Sequence, residues 1–502
     1  MKKRILKIIF SVAAVCAVGC SILLSACSRK TTLLEENIVE DKYDNYYEIF
    51  VQSFCDSDGD GCGDLNGVTQ KLDYIRDLGY TGIWLMPIHP SPSYHGYDVM
   101  DYLGVSPRYG TIEDYENLVS AAHEKGIKVI IDLVVNHTSS EHPWFKAALA
   151  GDAKYSSYYT FSTKAQEGYH QKNGKWYESW FDAGMPDLKL SNQSVRDEIE
   201  NIMKFWLEKG TDGFRLDGVK YYTYPSTNDG IEFCGWLQTT AEKYNENAYL
   251  VGENWSGRGN IAEFYESGMD SFFYFDTAGT VTAAINTNSA TEMWVLMKRC
   301  SESAGEYVPA PFLSNHDNGV GRFTGRVGRD AEKAKFGFGL LSMMTGSTFT
   351  YYGDEIGMVA RNGNNDQDLR VGMLWDNDKT NLTVPPSGAS ADYSYIFDGV
   401  KEQLADADSI LNYYKVCNNA RNAIPAIMRG KTERISYDDE SVLKLKKIYN
   451  GQTVTVVINF ATENKTVEGV EGTLAQGICV TGKISQSGST LKMPKYSIAI
   501  LT

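Results

Sequence analysis

A chain of 502 residues is too long for one simple hydrophobic core, so two or three structural units are expected. Its apolar fraction of 42% is ordinary for a globular protein. The formal net charge of −16 argues against nucleic acid or an anionic membrane face as a partner, because both bind basic patches.

The N-terminus has the three-part pattern of a targeting segment. Basic residues near the start precede an apolar stretch over residues 8–24, and Leu24-Ser-Ala-Cys27 places a small residue directly before a cysteine. This pattern resembles the lipobox of bacterial lipoproteins. It predicts a signal peptide over residues 1–26, a lipid on Cys27, and a protein anchored to the outer face of a bacterial cell membrane. The alternatives are an ordinary cleaved signal peptide and a single membrane-spanning helix.

Residues 27–42 are polar and charged, which is typical of a tether without a fold of its own. From Tyr43 onward, short apolar runs rich in β-branched or aromatic residues alternate with segments of helical period. The predicted strands are Tyr47–Gln52, Gly82–Met86, Val129–Val134, Gly213–Leu216, Tyr249–Gly252, Ser271–Phe275, Phe312–Ser314 and Thr348–Tyr352. The clearest predicted helices are Ile112–Lys125, Gln193–Lys209, Ala331–Met343 and, as the last one, Ala405–Arg421.

Eight strand–helix repeats predict a closed parallel (β/α)8 barrel, the TIM barrel, rather than an open sheet. We expect the barrel in two parts, over residues 43–137 and 187–424. The interval between the third and fourth strands is far longer than a usual connection, so residues 138–186 are predicted to form a small inserted domain. Alternating strands then predict a C-terminal all-β sandwich domain over residues 425–502.

Polar side chains follow four of the predicted strands, at the point where each strand ends. In a β/α barrel the carboxyl ends of the strands meet at one mouth, where the chemistry takes place. Burying several carboxylates together is costly, so their convergence indicates a functional site rather than isolated caps or ion pairs. The residues concerned are Asp132, Asn136, His137, Arg215, Asp217, Lys220, Glu253, His316 and Asp317.

Glycoside hydrolysis is the chemistry that needs such a set. A retaining glycosidase uses one carboxylate as nucleophile and a second as acid and then base, about 5 Å apart. Asp217 is the predicted nucleophile, and Arg215 lies two residues earlier on the same face of the strand, where it would keep Asp217 ionised. Glu253 is the predicted acid/base, because neighbouring negative charge favours its protonated form. The remaining side chains would bind sugar hydroxyls: His137, His316 and Asp317.

These four segments resemble, in order and spacing, the four short signature regions of the α-amylase family of glycoside hydrolases. The resemblance runs from about Tyr43 to the last strand. It implies a catalytic (β/α)8 barrel, an inserted domain after strand three and a C-terminal β-sandwich. It also implies that Asp217 is the nucleophile, Glu253 the acid/base and Asp317 the transition-state stabiliser.

Two further loops extend the resemblance. Tyr94–Asp98 follows the second strand and Asn365–Arg370 follows the eighth. The family places side chains in both loops next to the sugar at the cleavage point, and ordinary structural loops are the alternative. The matching residues in this chain are His95, Tyr97, Asp366 and Arg370.

Met185–Leu188 indicates the subfamily. It resembles a region found in a subgroup that is intermediate between the α-amylases and neopullulanases on one side and the oligo-1,6-glucosidases on the other. In the family, a bulky Val directly after the nucleophile is associated with α-1,6 cleavage, so Gly218 favours α-1,4 cleavage. The resemblance also implies that Lys220 contacts a sugar beyond the cleavage point. The predicted enzyme is an endo-acting α-1,4-glucan hydrolase, an α-amylase, acting on starch and maltooligosaccharides. The alternatives are an α-glucosidase, an oligo-1,6-glucosidase, a glucanotransferase or a trehalose-forming isomerase of the same family. Two non-enzymes also remain: an inactive transporter-associated subunit and a glycan-binding protein.

An acidic loop after the first strand places oxygen ligands at alternate positions, as calcium sites do. An EF-hand needs a Glu at position twelve, where this chain has Gly67, so that motif is excluded. The loop instead resembles a structural calcium site of family members close to the oligo-1,6-glucosidases, and a solvated acidic turn is the alternative. Its predicted ligands are Asp56, Asp58, Asp60, Asp64 and the carbonyl of Cys62.

Six cysteines follow Cys27 and are too widely spread for a disulfide framework, so free thiols are favoured, including Cys55 and Cys62. We expect a monomer whose partners are the α-glucan substrate and, through the lipid, the membrane.

Overall fold

The computed structural model describes residues 33–256, 258–303, 306–360, 365–390 and 394–502. The predicted signal peptide over residues 1–26, the lipid attachment site Cys27 and the first part of the tether lie outside these ranges. Among the described residues, no helix has both the length and the apolar character needed to cross a membrane.

Eight parallel strands form the barrel, which we number β1 to β8. Hydrogen bonds join them in the order β7-β6-β5-β4-β3-β2-β1-β8, and a parallel bridge between Phe312 and Phe349 links the two ends of the sheet. The predicted (β/α)8 barrel is therefore confirmed. The strands are β1 Asn45–Ile49, β2 Gly82–Leu85, β3 Lys128–Leu133, β4 Gly213–Leu216, β5 Tyr249–Gly252, β6 Ser271–Tyr274, β7 Ala310–Pro311 and β8 Thr348–Tyr351.

Two strand predictions differ from these bounds by more than one residue at an end. The seventh strand lies before Phe312–Ser314, and only its last contact, the bridge at Phe312, falls in the predicted segment. The first strand begins at Asn45, and Val51–Phe54 is a short helix rather than the end of that strand.

Alternation along the strands sends side chains to the barrel interior and to the helices in turn. Tyr46 belongs to the interior aromatic cluster with Trp84 and Phe349, whereas Tyr47 belongs to the larger core that the helices cover. The residue two places after an inward one points inward again, nearer the carboxyl end of the barrel. The side chains that reach this upper layer are Glu48, Asp132, Arg215 and Glu253.

Amphipathic helices surround the barrel. The helix Gln193–Glu208 buries residues at helical spacing, among them Val195, Ile199 and Trp206, and the side chain of Asn192 caps its first turn. The barrel helices are Leu65–Gln70, Leu72–Asp77, Ile112–His123, Gln193–Glu208, Thr227–Glu242, Arg258–Phe264, Thr277–Thr287, Ala290–Ser303, Ala331–Ser342 and Ile410–Ala423. Shorter helices are Val51–Phe54, Phe323–Arg326, Asp366–Leu369, Val400–Ala405 and Pro425–Arg429.

The last predicted helix, Ala405–Arg421, is in fact two helices. Val400–Ala405 ends before residues 406–409, and Ile410–Ala423 starts afresh, because the hydroxyl of Ser409 accepts the backbone N–H of Asn412 and caps a new first turn.

The segment after β3 folds over one edge of the barrel mouth. Its two helices are Pro143–Ala150 and Ala153–Ser156, and its three-stranded antiparallel sheet consists of Phe161–Ser162, Tyr169–Lys172 and Lys175–Glu178. Bridges from His137 to Asp187 and from Tyr159 to Leu188 bring its two ends together.

The C-terminal strands form two antiparallel sheets, as the all-β prediction required. Val456 and Ile458 pack into the core shared with the barrel helices. Val457 points to the other side of the sheet, where it packs with Leu491 and Met493 of the smaller sheet. The five-stranded sheet contains Lys431–Ile435, Val442–Tyr449, Gln452–Asn459, Ser497–Leu501 and Leu474–Cys479, and the three-stranded sheet contains Lys465–Val467, Thr490–Met493 and Ser485–Ser487.

Candidate active site

Arg215 is the centre of the polar cluster at the barrel mouth. Its guanidinium is buried and donates to Asp132 at 2.5 Å and to Asp217 at 2.7 Å, and it forms an ion pair with Glu253 at 2.9 Å. One cation thus holds three carboxyl groups from β3, β4 and β5 in fixed positions. Because three negative charges around one positive charge repel each other, the cluster favours keeping a proton on one of them.

Glu253 is the member best suited to hold that proton. Its Oε2 accepts the backbone N–H of Gly218 at 3.1 Å as well as the contact from Arg215. Burial raises the pKa of Glu253 to about 8, with the negative charge of Asp217 adding to the rise and Arg215 opposing it. Burial also raises the pKa of Asp132 to about 7, although Trp84 donates its indole N–H to this carboxyl at 3.0 Å.

Gly218 reaches Glu253 because of its backbone conformation. Its φ of +58° lies in the left-handed region, where glycine carries no steric cost. A Cβ at this position would lie 2.7 Å from the ring of Phe181, which comes from the inserted segment. A larger residue here would therefore have to displace the ring that borders the catalytic cluster.

A buried hydrogen-bonded chain supports the floor of the site. Glu48 lies 2.6 Å from Nδ1 of His316, and Nε2 of that ring lies 2.8 Å from the hydroxyl of Tyr97. Burial raises the pKa of Glu48 well above its ordinary value. Burial lowers the pKa of His316 well below its ordinary value, and the positive charges of Arg370 and Arg215 lower it further. The ring of His316 is therefore neutral and fixed in orientation, with the Tyr97 ring stacked on it at 5.5 Å.

Asp317 lies on the opposite side of the mouth and is the most exposed of the predicted catalytic carboxylates. Arg370 is buried and approaches Asp317 at 3.1 Å and Asp366 at 3.4 Å. Its Nε also donates to the backbone carbonyl of His316 at 3.0 Å, so it ties the loop after β8 to the loop after β7. Asp366 accepts the backbone N–H of Asn318 at 2.9 Å, which adds a second tie between the same loops.

The other predicted substrate-binding residues surround this centre. His137 lies 3.2 Å from the carbonyl of Tyr97 and packs against Phe181 at 5.2 Å. His95 accepts the backbone N–H of Tyr97 at 3.1 Å. The ammonium of Lys220 lies 5.3 Å above the ring of Trp255. All eleven predicted catalytic and substrate-binding residues thus lie on loops or strand ends around one mouth.

Several residues without a predicted role contribute to this geometry. Glu48 and Asp132 are acids inside apolar strand segments, and a lone charge in such a run signals a buried partner. Phe181, Tyr221 and Trp255 form an aromatic group beside the catalytic carboxylates, with ring centroids 4.7 to 6.4 Å apart. Exposed aromatics in loops carry no periodic pattern, so this group could not be predicted.

The predicted calcium loop brings together three of its four carboxylates. Oxygens of Asp56, Asp58 and Asp64 lie within 4.8 Å of one another, which is compatible with a hard cation that prefers oxygen ligands. Asp60 is not in this group, and its carboxylate accepts the backbone N–H of Cys62 at 2.7 Å. Cys55 and Cys62 are free thiols, as are the other cysteines of the described residues.

Comparison with known proteins identifies the family of this chain. The family model for the α-amylase catalytic domain matches residues 48–430. A protein named Alpha-amylase 3, from Dictyoglomus thermophilum, is 38% identical over 433 residues, which cover 82% of this chain and 84% of that protein. The oligo-1,6-glucosidase of Parageobacillus thermoglucosidasius is 28% identical over 502 residues, covering 83% and 89% of the two chains. The solved structure of Eubacterium rectale Amy13B aligns with a TM-score of 0.87 and 37% identity, over 93% of this chain and 97% of that one. The chain belongs to the α-amylase family and is a glycoside hydrolase.

Proposed function

We propose that the protein is a retaining, endo-acting α-1,4-glucan hydrolase, an α-amylase, that cleaves starch and maltooligosaccharides. The observation that carries this proposal is the pairing of Asp217 and Glu253 on one guanidinium, that of Arg215. Two carboxyl groups held together, one ionised and one protonated, are what a double displacement requires. The relative from Dictyoglomus thermophilum, which bears the name Alpha-amylase 3, supports the choice of substrate.

In the first step, Asp217 attacks the anomeric carbon of the sugar while Glu253 gives its proton to the glycosidic oxygen. The carbon–oxygen bond breaks, the shortened glucan leaves with a new hydroxyl group, and the sugar is joined to Asp217 by an ester bond. Arg215 holds Asp217 aimed at the carbon, because its guanidinium donates to that carboxylate at 2.7 Å.

In the second step, a water molecule attacks the same carbon. Glu253, now ionised, accepts a proton from this water, the ester bond breaks and Asp217 is released as a carboxylate. Both carboxyl groups return to their starting protonation states. Two inversions at one carbon leave the product in the α configuration.

The sugar at the cleavage point would be bound by the fixed groups around the nucleophile. The Tyr97 ring offers an apolar face for stacking. Asp317, Arg370 and His316 offer charged and neutral hydrogen-bonding groups for the hydroxyls, and these strengthen as the ring flattens toward the transition state.

Product analysis tests this function. The purified protein is incubated separately with starch, maltotriose, isomaltose and pullulan, and the products are resolved by chromatography. A ladder of maltooligosaccharides from starch is the expected result. Glucose as the only product, from maltotriose or isomaltose, would instead indicate an α-glucosidase, the reading favoured by the 28% identical oligo-1,6-glucosidase. The absence of product from every substrate would contradict the proposal and leave a binding protein.

We further propose that the loop Asp56–Asp64 holds a structural calcium ion through the carboxylates of Asp56, Asp58 and Asp64, with the Cys62 carbonyl and Asp60 as additional oxygen donors. The bound ion would join the two ends of the loop, since Asp64 also caps the helix Leu65–Gln70.

Removal of calcium is expected to lower the melting temperature by several degrees. A ligand present at 100 times its Kd stabilises the folded state by about 2.7 kcal/mol. Scanning calorimetry with calcium and with a chelator measures the difference. Asp58→Asn should reduce it, and Asp438→Asn, at an exposed position between two strands of the C-terminal sheet, should leave it intact. Equal melting curves with and without calcium would contradict the site.

We also propose that a lipid on Cys27 anchors the protein to the outer face of the cell membrane, where a monomer acts on glucan. Labelling of expressing cells with a radioactive fatty acid tests this, because the unchanged protein should take up the label and Cys27→Ser should not. Absence of label on the unchanged protein would contradict the lipid anchor.

A further inference from the structure

The buried chain of Glu48, His316 and Tyr97 admits two arrangements of its protons. In the first, Nδ1 of His316 donates to an ionised Glu48, and Nε2 accepts the hydroxyl proton of Tyr97. In the second, a neutral Glu48 carboxyl donates to Nδ1, and Nε2 carries the ring proton. The distances of 2.6 Å and 2.8 Å along the chain fit either arrangement, so the surroundings of the chain decide between them.

The charges around Glu48 favour its neutral form. The side chain is 1% exposed and lies on β1 inside the barrel. Two guanidinium groups serve this mouth and both already hold carboxylates, since Arg215 contacts three of them and Arg370 contacts two. The described lysines and arginines form no ion pair with Glu48, whose one charged contact is with the ring of His316. Burial accordingly raises the pKa of Glu48 more than Arg215 lowers it.

The hydroxyl of Tyr97 favours the same arrangement. It lies 3.3 Å from a carboxylate oxygen of Asp132 and 3.3 Å from Nη1 of Arg215, in addition to its contact with His316. A hydroxyl donates one proton and can accept two. If Nε2 donates, the hydroxyl accepts from His316 and Arg215 and donates to Asp132, so all three contacts are satisfied. If Nε2 accepts, the hydroxyl proton is used on the ring, and the contact with an ionised Asp132 has no proton.

The position of the ring proton matters for the reaction because Nε2 of His316 also lies 3.5 Å from Asp317. A proton on Nε2 attracts this carboxylate, to which Arg370 also donates at 3.1 Å. A lone pair on Nε2 would repel it. The form with the proton on Nε2 therefore supports both Tyr97 and Asp317, the two groups that we expect to contact the sugar from this side of the nucleophile.

We propose that Glu48 is a positioning residue that stays neutral, donates to Nδ1 of His316 and keeps the ring proton on Nε2. The proposal rests on the glucan hydrolase function above. Glu48 is buried beneath the ring and acts on the sugar only through His316, Tyr97 and Asp317. Because it fixes groups before the substrate arrives, its loss should affect the transition state more than substrate binding.

Nitrogen NMR of the unchanged protein tests the proton arrangement without any turnover. Histidine labelled with 15N in its ring is incorporated, and the signals of His316 are identified by their absence in His316→Gln. The expected result at neutral pH is a neutral ring with an unprotonated Nδ1 and a protonated Nε2. A proton on Nδ1 would overturn the proposal.

Two variants of similar length test the effect on catalysis. Glu48→Gln offers an amide N–H to Nδ1 in place of the carboxyl proton, so kcat on starch should stay within about threefold of that of the unchanged protein. Glu48→Met has no such donor, so kcat should fall about 30-fold while KM changes less than about threefold. Glu433→Met, at an exposed position in the C-terminal strand Lys431–Ile435, is the matched control and should change neither constant.

The kinetic outcomes separate positioning from mere packing. A loss in Glu48→Gln as large as that in Glu48→Met, or no loss in either variant, would overturn the role of Glu48. If Glu48→Met fails to fold, the ring-proton measurement and the activity of Glu48→Gln still decide the proposal. An unchanged protein that cleaves no glucan would refute the proposed function, whereas the NMR measurement would still show whether Glu48 keeps the proton on Nε2.

Discussion

Asp217→Asn is expected to lower kcat on starch by at least about 10⁴-fold, which corresponds to about 5.4 kcal/mol of lost transition-state stabilisation. The amide is isosteric with the carboxylate but is too weak a nucleophile to form the ester bond at the anomeric carbon. Arg215 can still donate to the amide oxygen, so the position of the side chain is retained. The loss should therefore be catalytic rather than structural.

The control for this substitution is Asp378→Asn, the same chemical change at an exposed position. Both variants should keep the melting temperature of the unchanged protein, and only Asp217→Asn should lose activity. Starch cleavage by Asp217→Asn within tenfold of the unchanged protein would contradict the assignment of the nucleophile. A large fall in its melting temperature would show that Asp217 has a structural role beside Arg215.

Glu253→Gln is expected to lower kcat/KM on starch by about 10³-fold, in the range that general acid–base catalysis contributes. The proton on Glu253 is present below its pKa of about 8 and is lost as the pH rises through that value. The activity of the unchanged protein should therefore fall on the alkaline side near pH 8. Glutamine does not titrate, so the residual activity of the variant should lack this alkaline limb.

The leaving group separates acid catalysis from other roles of Glu253. Fluoride leaves an α-glucosyl fluoride without receiving a proton. The rate of the first step in Glu253→Gln should therefore be restored far more on this substrate than on starch. Glu302→Gln, on the exposed side of a helix, is the matched control and should behave as the unchanged protein does. An equal loss on both substrates, or an alkaline limb that persists in the variant, would show that another group supplies the proton.

The barrel could be predicted from the sequence because each strand carries a local signal. The buried parallel strand Lys128–Leu133 contains the apolar run Val129–Ile131, and the helix Gln193–Glu208 has a clear apolar stripe. The seventh strand, Ala310–Pro311, was misplaced because its two residues are too few to carry a period. The break at residues 406–409 was missed because this polar segment contains neither glycine nor proline to mark the end of a helix.

The candidate site was predictable as far as its residues follow strand ends. Asp217 and Glu253 come directly after β4 and β5, so the barrel topology alone brings them to one mouth. Glu48 escaped prediction because its partner, His316, lies 268 positions away in sequence. Trp180 and Tyr224 meet only through the packing of the inserted segment on the barrel, which no local pattern specifies.

A covalent intermediate on Asp217 can be detected by mass spectrometry once it is trapped. Glu253→Gln is incubated with α-maltosyl fluoride and the protein is then digested. This substrate can react in the first step without an acid, but the variant lacks the base that the second step needs. A double displacement predicts a peptide heavier by one maltosyl group, with the bond at Asp217, and no such adduct in the double variant that also carries Asp217→Asn. Fluoride release without any adduct, or an adduct on another residue, would contradict a double displacement at Asp217.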